Sequence, residues 1–140
     1  MYLFDASSIV NLIKRGIVKP FVKGATIDLA LYESLNAVWK EHALLKRIDR
    51  NTALEFVDLV RSLFRVIRTL SIEGLEKEIF DLASEERITV YDASYVCAAA
   101  RDDLILVTDD ERLRAKASKH VKVISSRELI STSTSPPDTS

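Results

Sequence analysis

The chain has 140 residues, of which 20 are basic and 21 acidic, for a net charge of -1. This length suits one domain with a core of its own, and the charge balance excludes a globally basic nucleic-acid binder. No apolar run approaches the roughly 18 residues of a membrane span, and the N-terminus MYLFDASS has no basic stretch before an apolar one, as a signal peptide would. The single cysteine, Cys97, excludes an internal disulfide. The expectation is a cytoplasmic protein in which Cys97 is a small buried residue.

Residues 2–5 (Tyr-Leu-Phe-Asp) read as a first strand, an apolar run that ends in an acid. Ser7 or Ser8 can cap a short helix carrying Ile9, Val10, Leu12 and Ile13, which Gly16 stops. Ala25 to Ala30 reads as the second strand. Leu31, Leu35, Val38 and Leu45 then share a helical face, and Asp49 to Asn51 breaks that helix. Thr52 to Phe64 is a further amphipathic helix, and Phe64 to Leu70 reads as strand three from its β-branched and aromatic content.

Ser71 and Gly74 open a helix carrying Leu75, Ile79 and Leu82, and Asp92 introduces an alanine-rich helix through Arg101. Leu104 to Thr108 has the uniform apolar character of a buried parallel strand. Glu111 to Lys119 is a charged helix and Val121 to Ile124 a last strand. Strands that alternate with helices predict an α/β sandwich with a mainly parallel sheet. The Ser-, Thr- and Pro-rich tail after Ile130 is expected to be disordered.

Four carboxylates, Asp5, Glu33, Asp92 and Asp110, fall where a predicted strand meets a helix. In a parallel sheet such positions share the edge outside the carboxyl ends of the strands, where ligands bind. Each acid also has a plain structural reading. Asp5, Asp92 and Asp110 can cap helices, and Glu33, placed in a first turn, suits the helix dipole. Capping does not explain why acids that repel one another should gather at one edge. A cation does. With few His or Cys residues, the ligands are oxygens and the ion is hard, Mg²⁺ or Mn²⁺.

The series Asp5-Ala-Ser7, Glu33-Ser-Leu-Asn36, Tyr91-Asp92-Ala93 and Val107-Thr108-Asp109-Asp110 resembles the motifs of PIN-domain ribonucleases. It is most similar to the VapC-type toxins of prokaryotic toxin–antitoxin pairs. The resemblance spans about residues 1–130 and leaves 131–140 as the tail. It implies a three-layer α/β/α sandwich around a five-stranded sheet. It also implies catalysis by Asp5, Glu33, Asp92 and Asp110, with Asp5, Asp92 and Asp110 as metal ligands. Ser7, Asn36 and Thr108 match supporting polar positions. Asp109 either assists or caps, since the family spacing selects Asp110. The reaction implied is metal-dependent endonucleolytic hydrolysis of RNA, and the partners implied are a small antitoxin and a second copy of the chain.

Two other functions are compatible with an acidic α/β site. A non-catalytic interaction module on the same fold would be expected to lack acids that are present here. A phosphohydrolase or receiver-like domain would share the metal preference, but a receiver would carry a late lysine, and Ser125-Ser126-Arg127 offers none. Trp39 and Tyr32 read as core or dimer packing, or as platforms for bases. Lys14, Arg15, Lys19 and Lys23 read either as a phosphate guide or as a solvated face. His42 and His120 lack ligand spacing.

Overall fold

The computed structural model describes residues 1–133. Five parallel strands form one sheet in the order β3-β2-β1-β4-β5: β1 (Tyr2–Phe4), β2 (Gly24–Ile27), β3 (Arg68–Leu70), β4 (Ile105–Val107) and β5 (Val123–Ile124). Leu3 pairs with Ala25 on one side and with Leu106 on the other, so β1 is central. The described residues form seven α-helices, six between strands and the last after β5: α1 (Ala6–Lys14), α2 (Leu29–Trp39), α3 (Arg50–Val66), α4 (Glu76–Glu86), α5 (Val90–Arg101), α6 (Glu111–Ala117) and α7 (Ser126–Ser133).

From β1 to β3 the chain moves one way across the sheet, and from β4 to β5 it moves the other. Right-handed crossovers therefore put α1, α2 and α3 on one face and α4, α5 and α6 on the opposite face. The mutual packing of α1, α2 and α3, and of α4 with α5, matches this three-layer arrangement. Strand order reverses between β1 and β4. The crevice outside their carboxyl ends is the switch point of the sheet.

Local chemistry explains most of the elements. Leu3, Phe4, Leu106 and Val107 are fully buried, as a central parallel strand requires. Gly24 admits the ring of Phe4: a Cβ there would stand 2.2 Å from Phe4 Cε2. Gly16 ends α1 with φ of +70°, a conformation that costs glycine little. Along α2 the buried residues Ala30, Ser34 and Val38 fall one turn apart, and their small size lets α1 and α3 approach closely. Cys97 is buried and unpaired, as expected.

The structure departs from the sequence reading at several boundaries. Residues 64–66, assigned above to a strand, continue α3, and β3 is only Arg68–Leu70. The β-preferring run is overridden because Leu63 is held in the core and the helix continues until Ile67 donates to the Leu63 carbonyl. β2 ends at Ile27, because Leu29 and Ala30 already belong to α2. That helix then widens into a π-helical turn over Lys40–Leu44. Residues 131–133, expected to belong to the tail, continue α7. The remainder of that expectation, residues 134–140, lies outside the described residues.

Candidate active site

Asp5 follows β1 directly and caps α1. Its Oδ1 accepts the Ser8 backbone N–H at 2.9 Å and the Ser7 hydroxyl at 2.7 Å. Its Oδ2 accepts the hydroxyl of Thr108, the residue that follows β4. The Asp5 backbone N–H donates to Val107 at 3.2 Å, tying the two strand ends together at the switch point. Asp5 is 4% exposed, and burial pushes its carboxyl up to about 6 against the opposing effect of Thr108, Ser8 and Ser7.

Thr108 and Ser7 brace more than Asp5. Thr108 Oγ1 accepts the Asp110 N–H at 3.1 Å, and Ser7 Oγ accepts the Asp109 N–H at 2.9 Å. The turn after β4 is thus fixed by the two hydroxyls that hold the Asp5 carboxylate. Asp110 caps α6, accepting the Leu113 N–H at 3.1 Å through Oδ1.

The adjacent pair of acids splits. Asp109 accepts the Asn11 amide at 2.8 Å, the Ser126 N–H at 2.7 Å and the Ser126 hydroxyl at 2.6 Å. It therefore ties α1 to the start of α7, and neither caps α6 nor presents free oxygens to the other acids.

Asp92 does not cap α5, contrary to one reading above. Thr89 is the cap and accepts the Asp92 N–H at 3.0 Å. Asp92 lies in the first helical turn, and its carboxyl is raised by burial and then by the charge of Asp110, partly offset by Thr89 and Arg112. Glu33 is the fifth residue of α2, one turn later than expected, so the dipole of the first turn does not account for it. Burial and the charge of Asp92 raise its carboxyl. Asn36 is exposed on α2 and makes no side-chain hydrogen bond among the described residues.

The acids form a charge-coupled chain in which Asp110 acts on Asp92 and Asp92 on Glu33. Tyr95 completes it. This side chain is 1% exposed, and its hydroxyl donates to Glu33 Oε1 at 2.6 Å. Burial, Glu33 and Asp5 all raise the Tyr95 phenol, which keeps its proton and remains a donor. Sequence reasoning missed Tyr95, although its place three residues after Asp92 puts it on a neighbouring helical position. It also missed Asn11 and Ser126. Nothing in their spacing announces a shared acid.

The donor set fits a hard cation in chemical type, since every acid offers oxygen. Among the described residues, no three His, Cys, Asp or Glu side chains stand close enough to hold an ion unaided. A hard ion that keeps part of its shell as water and substrate phosphate fits such an open arrangement.

No protein-family model matches the chain. It is 36% identical over 124 residues to an exonuclease, VapC9, of Pyrobaculum aerophilum, a match that covers 87% of this chain and 90% of that protein. This chain belongs to the VapC family of PIN-domain proteins. A second VapC, the ribonuclease VapC3 of the same organism, is 34% identical over 91 residues, covering 65% of this chain and 69% of that protein. The crystal structure of PAE2754 from Pyrobaculum aerophilum superposes with a TM-score of 0.76 at 35% identity, covering 94% of each chain. FitAB bound to a DNA fragment shares the fold, with a TM-score of 0.61 at 15% identity over 90% of this chain and 95% of that one. The VapC family and the three-layer fold expected from the motifs are therefore both established.

Trp39 is 51% exposed and Tyr32 is 71% exposed, so neither is a core residue. Lys14 is paired with Glu41 rather than free to guide phosphate. His42 is engaged by the Ile48 carbonyl and His120 by Glu86. No helix among the described residues is long and apolar enough to cross a membrane.

Proposed function

We propose that this VapC protein is a Mg²⁺- or Mn²⁺-dependent endoribonuclease and the toxin of a toxin–antitoxin pair. The observation that carries the reading is the buried Asp5 at the switch point, with the Asp110–Asp92–Glu33 charge chain beside it. Like charges that act on one another destabilise the site unless a cation or a proton offsets them. Asp5, Asp92 and Asp110 are the residues that would hold the ion. A bound divalent ion would supply charge for a phosphate oxygen and lower the pKa of a bound water.

The chain's own groups have separate tasks. Thr108 and Ser7 fix the Asp5 carboxylate through hydrogen bonds, as second partners of ligands do. Glu33 keeps one oxygen free of any hydrogen bond among the described residues while Tyr95 holds the other. That free oxygen is the one that would take a proton from the attacking water, and burial raises the carboxyl in the direction such a base needs. Asp109 is outside this set.

The relatives' names support nucleolytic chemistry, one naming an exonuclease and the other a ribonuclease, and neither name specifies an endonuclease. Circular single-stranded RNA separates the modes. An endonuclease opens the circle, and an enzyme that needs a free end leaves it intact. Cleavage of linear RNA alone would transfer the reading to an exonuclease on the same acids. Cleavage of neither would end it.

The proposed partners are a small antitoxin and a second copy of the chain, in the cytoplasm where RNA is met. Exposed apolar surface supports both. Ile13, Val18, Phe21, Val22, Leu59 and Val66 line an apolar cavity of about 440 Å³ between α1, the segment that follows it and α3.

A further inference from the structure

A second cavity, of about 370 Å³, opens at the carboxyl ends of β2 and β3, within the roughly 300–1,000 Å³ of small-molecule sites. Ile27, Leu29 and Leu70 give it apolar walls, and Tyr91, Ser94 and Asp28 also line it. It adjoins the acids through two helices. Leu29 precedes Glu33 by one turn on α2, so both lie on one helical face. Tyr91 immediately precedes Asp92 on α5.

Two of its residues are uncommitted. Tyr91 is 59% exposed, and its hydroxyl has no hydrogen-bond partner among the described residues. Asp28 stands at the cap position of α2, where aspartate usually accepts a backbone N–H, yet it makes no such bond. Its carboxylate has no ion-pair partner among the described residues either, and it is exposed.

An aromatic ring at the mouth, apolar walls and one free carboxylate define the occupant's chemistry. The occupant is flat, has an apolar face and presents hydrogen-bond donors on one edge. An unpaired nucleobase meets all three conditions. Among the bases, guanine presents adjacent N1–H and N2–H donors that match the two oxygens of one carboxylate.

We infer that this cavity, formed by Asp28, Leu29, Leu70 and Tyr91 beside the acids, receives an unpaired guanine next to the scissile phosphate. This subsite rests on the nuclease reading, because the backbone bound at the acids is what delivers the base. Tyr91 stacks on the base and Asp28 reads its donor edge. The larger apolar cavity has no such carboxylate and does not compete for the base.

The test has two arms. In the first, guanosine monophosphate is titrated into the isotope-labelled full chain and followed by amide shifts. Saturable shifts confined to the Asp28–Leu29 and Tyr91–Asp92 segments are expected, with uridine monophosphate at least tenfold weaker. Tyr91→Ala should weaken binding about tenfold, Tyr91→Phe should retain it, and Asp28→Asn should lose the preference for guanine. The same spectra report whether each variant is folded. Equal responses to both nucleotides, shifts elsewhere, or no shifts overturn the subsite. In the second arm, cut sites are mapped on random-sequence RNA. A guanine bias that Asp28→Asn abolishes is expected, and an unchanged cut profile contradicts the proposal. Absence of all cleavage defeats the nuclease reading alone, and the titration still decides the subsite.

Discussion

The Tyr95 hydroxyl donates to Glu33 Oε1 at 2.6 Å from a fully buried ring. The bond joins α5 to α2 and fixes the orientation of one carboxylate. Glu33 is thereby aimed by a residue that itself carries no charge. Tyr95→Phe keeps the ring and its packing but releases Glu33. The expected result is a fall in kcat of about tenfold, a barrier increase of about 1.4 kcal/mol, with KM nearly unchanged. A purely structural role for the hydroxyl would lower the melting temperature without changing kcat in the folded protein.

Asp92 and Thr89 separate charge from capping. Thr89 takes the cap bond of α5, so Thr89→Ala should cost about 1 kcal/mol of stability. Asp92→Asn removes a carboxylate that Asp110 repels, so cleavage should be abolished with stability similar or slightly higher. Thermal melts of the two variants, beside their RNA cleavage rates, check the pair. A loss beyond about 2 kcal/mol in Asp92→Asn would show instead that this carboxylate stabilises the first turn of α5.

Asp109 and Asp110 are adjacent and should fail in different ways. Asp110→Asn is expected to reduce metal-dependent cleavage at least tenfold. Asp109→Asn replaces an acceptor of three hydrogen bonds from Asn11 and Ser126 with a group that has one acceptor oxygen. It should cost about 1–2 kcal/mol of stability and have the smaller effect on the cleavage rate of folded protein. Circular dichroism melts and assays at saturating Mn²⁺ distinguish the two. A larger loss of rate in Asp109→Asn would reverse their roles.

The burial of Asp5 predicts a pH dependence. Its folded pKa of about 6 lies above its ordinary 3.8. Between those values the unfolded chain releases the proton first, so the native state holds more protons and stability falls as pH rises. The contribution is fully present below about pH 4 and is lost once pH exceeds about 6, a difference on the order of 3 kcal/mol. Asp5→Asn does not titrate. Its melting temperature in EDTA, relative to the wild type, should therefore climb between pH 4 and 7. A constant difference would show that Asp5 is not held above its ordinary range.

The sequence discloses the strand ends and their acids because both depend on local signals. Apolar runs end in polar residues at Asp5, Thr108 and Asp110, and the alternation of strands and helices implies their common edge. What stays hidden depends on contacts between distant residues. The extension of α3 through Val66 depends on burial of Leu63, which outweighs a β-rich local sequence. Tyr95 looks like one more apolar residue of an alanine-rich helix until α2 brings Glu33 against it. Asp109 looks interchangeable with Asp110 until α1 and α7 supply its partners. Asp28 looks like a part of strand two until α2 is seen to start at Leu29.

On the proposed reading Asp5, Asp92 and Asp110 hold a divalent cation and Glu33 takes the proton of the attacking water. The most direct measurement strips the full chain with EDTA, then titrates Mn²⁺ back while the cleavage rate of single-stranded RNA is recorded. The wild type should be inactive in EDTA and recover saturably with Mn²⁺, while Asp5→Asn stays inactive at every concentration. Full cleavage in excess EDTA, or recovery of Asp5→Asn to the wild-type rate, would contradict the account.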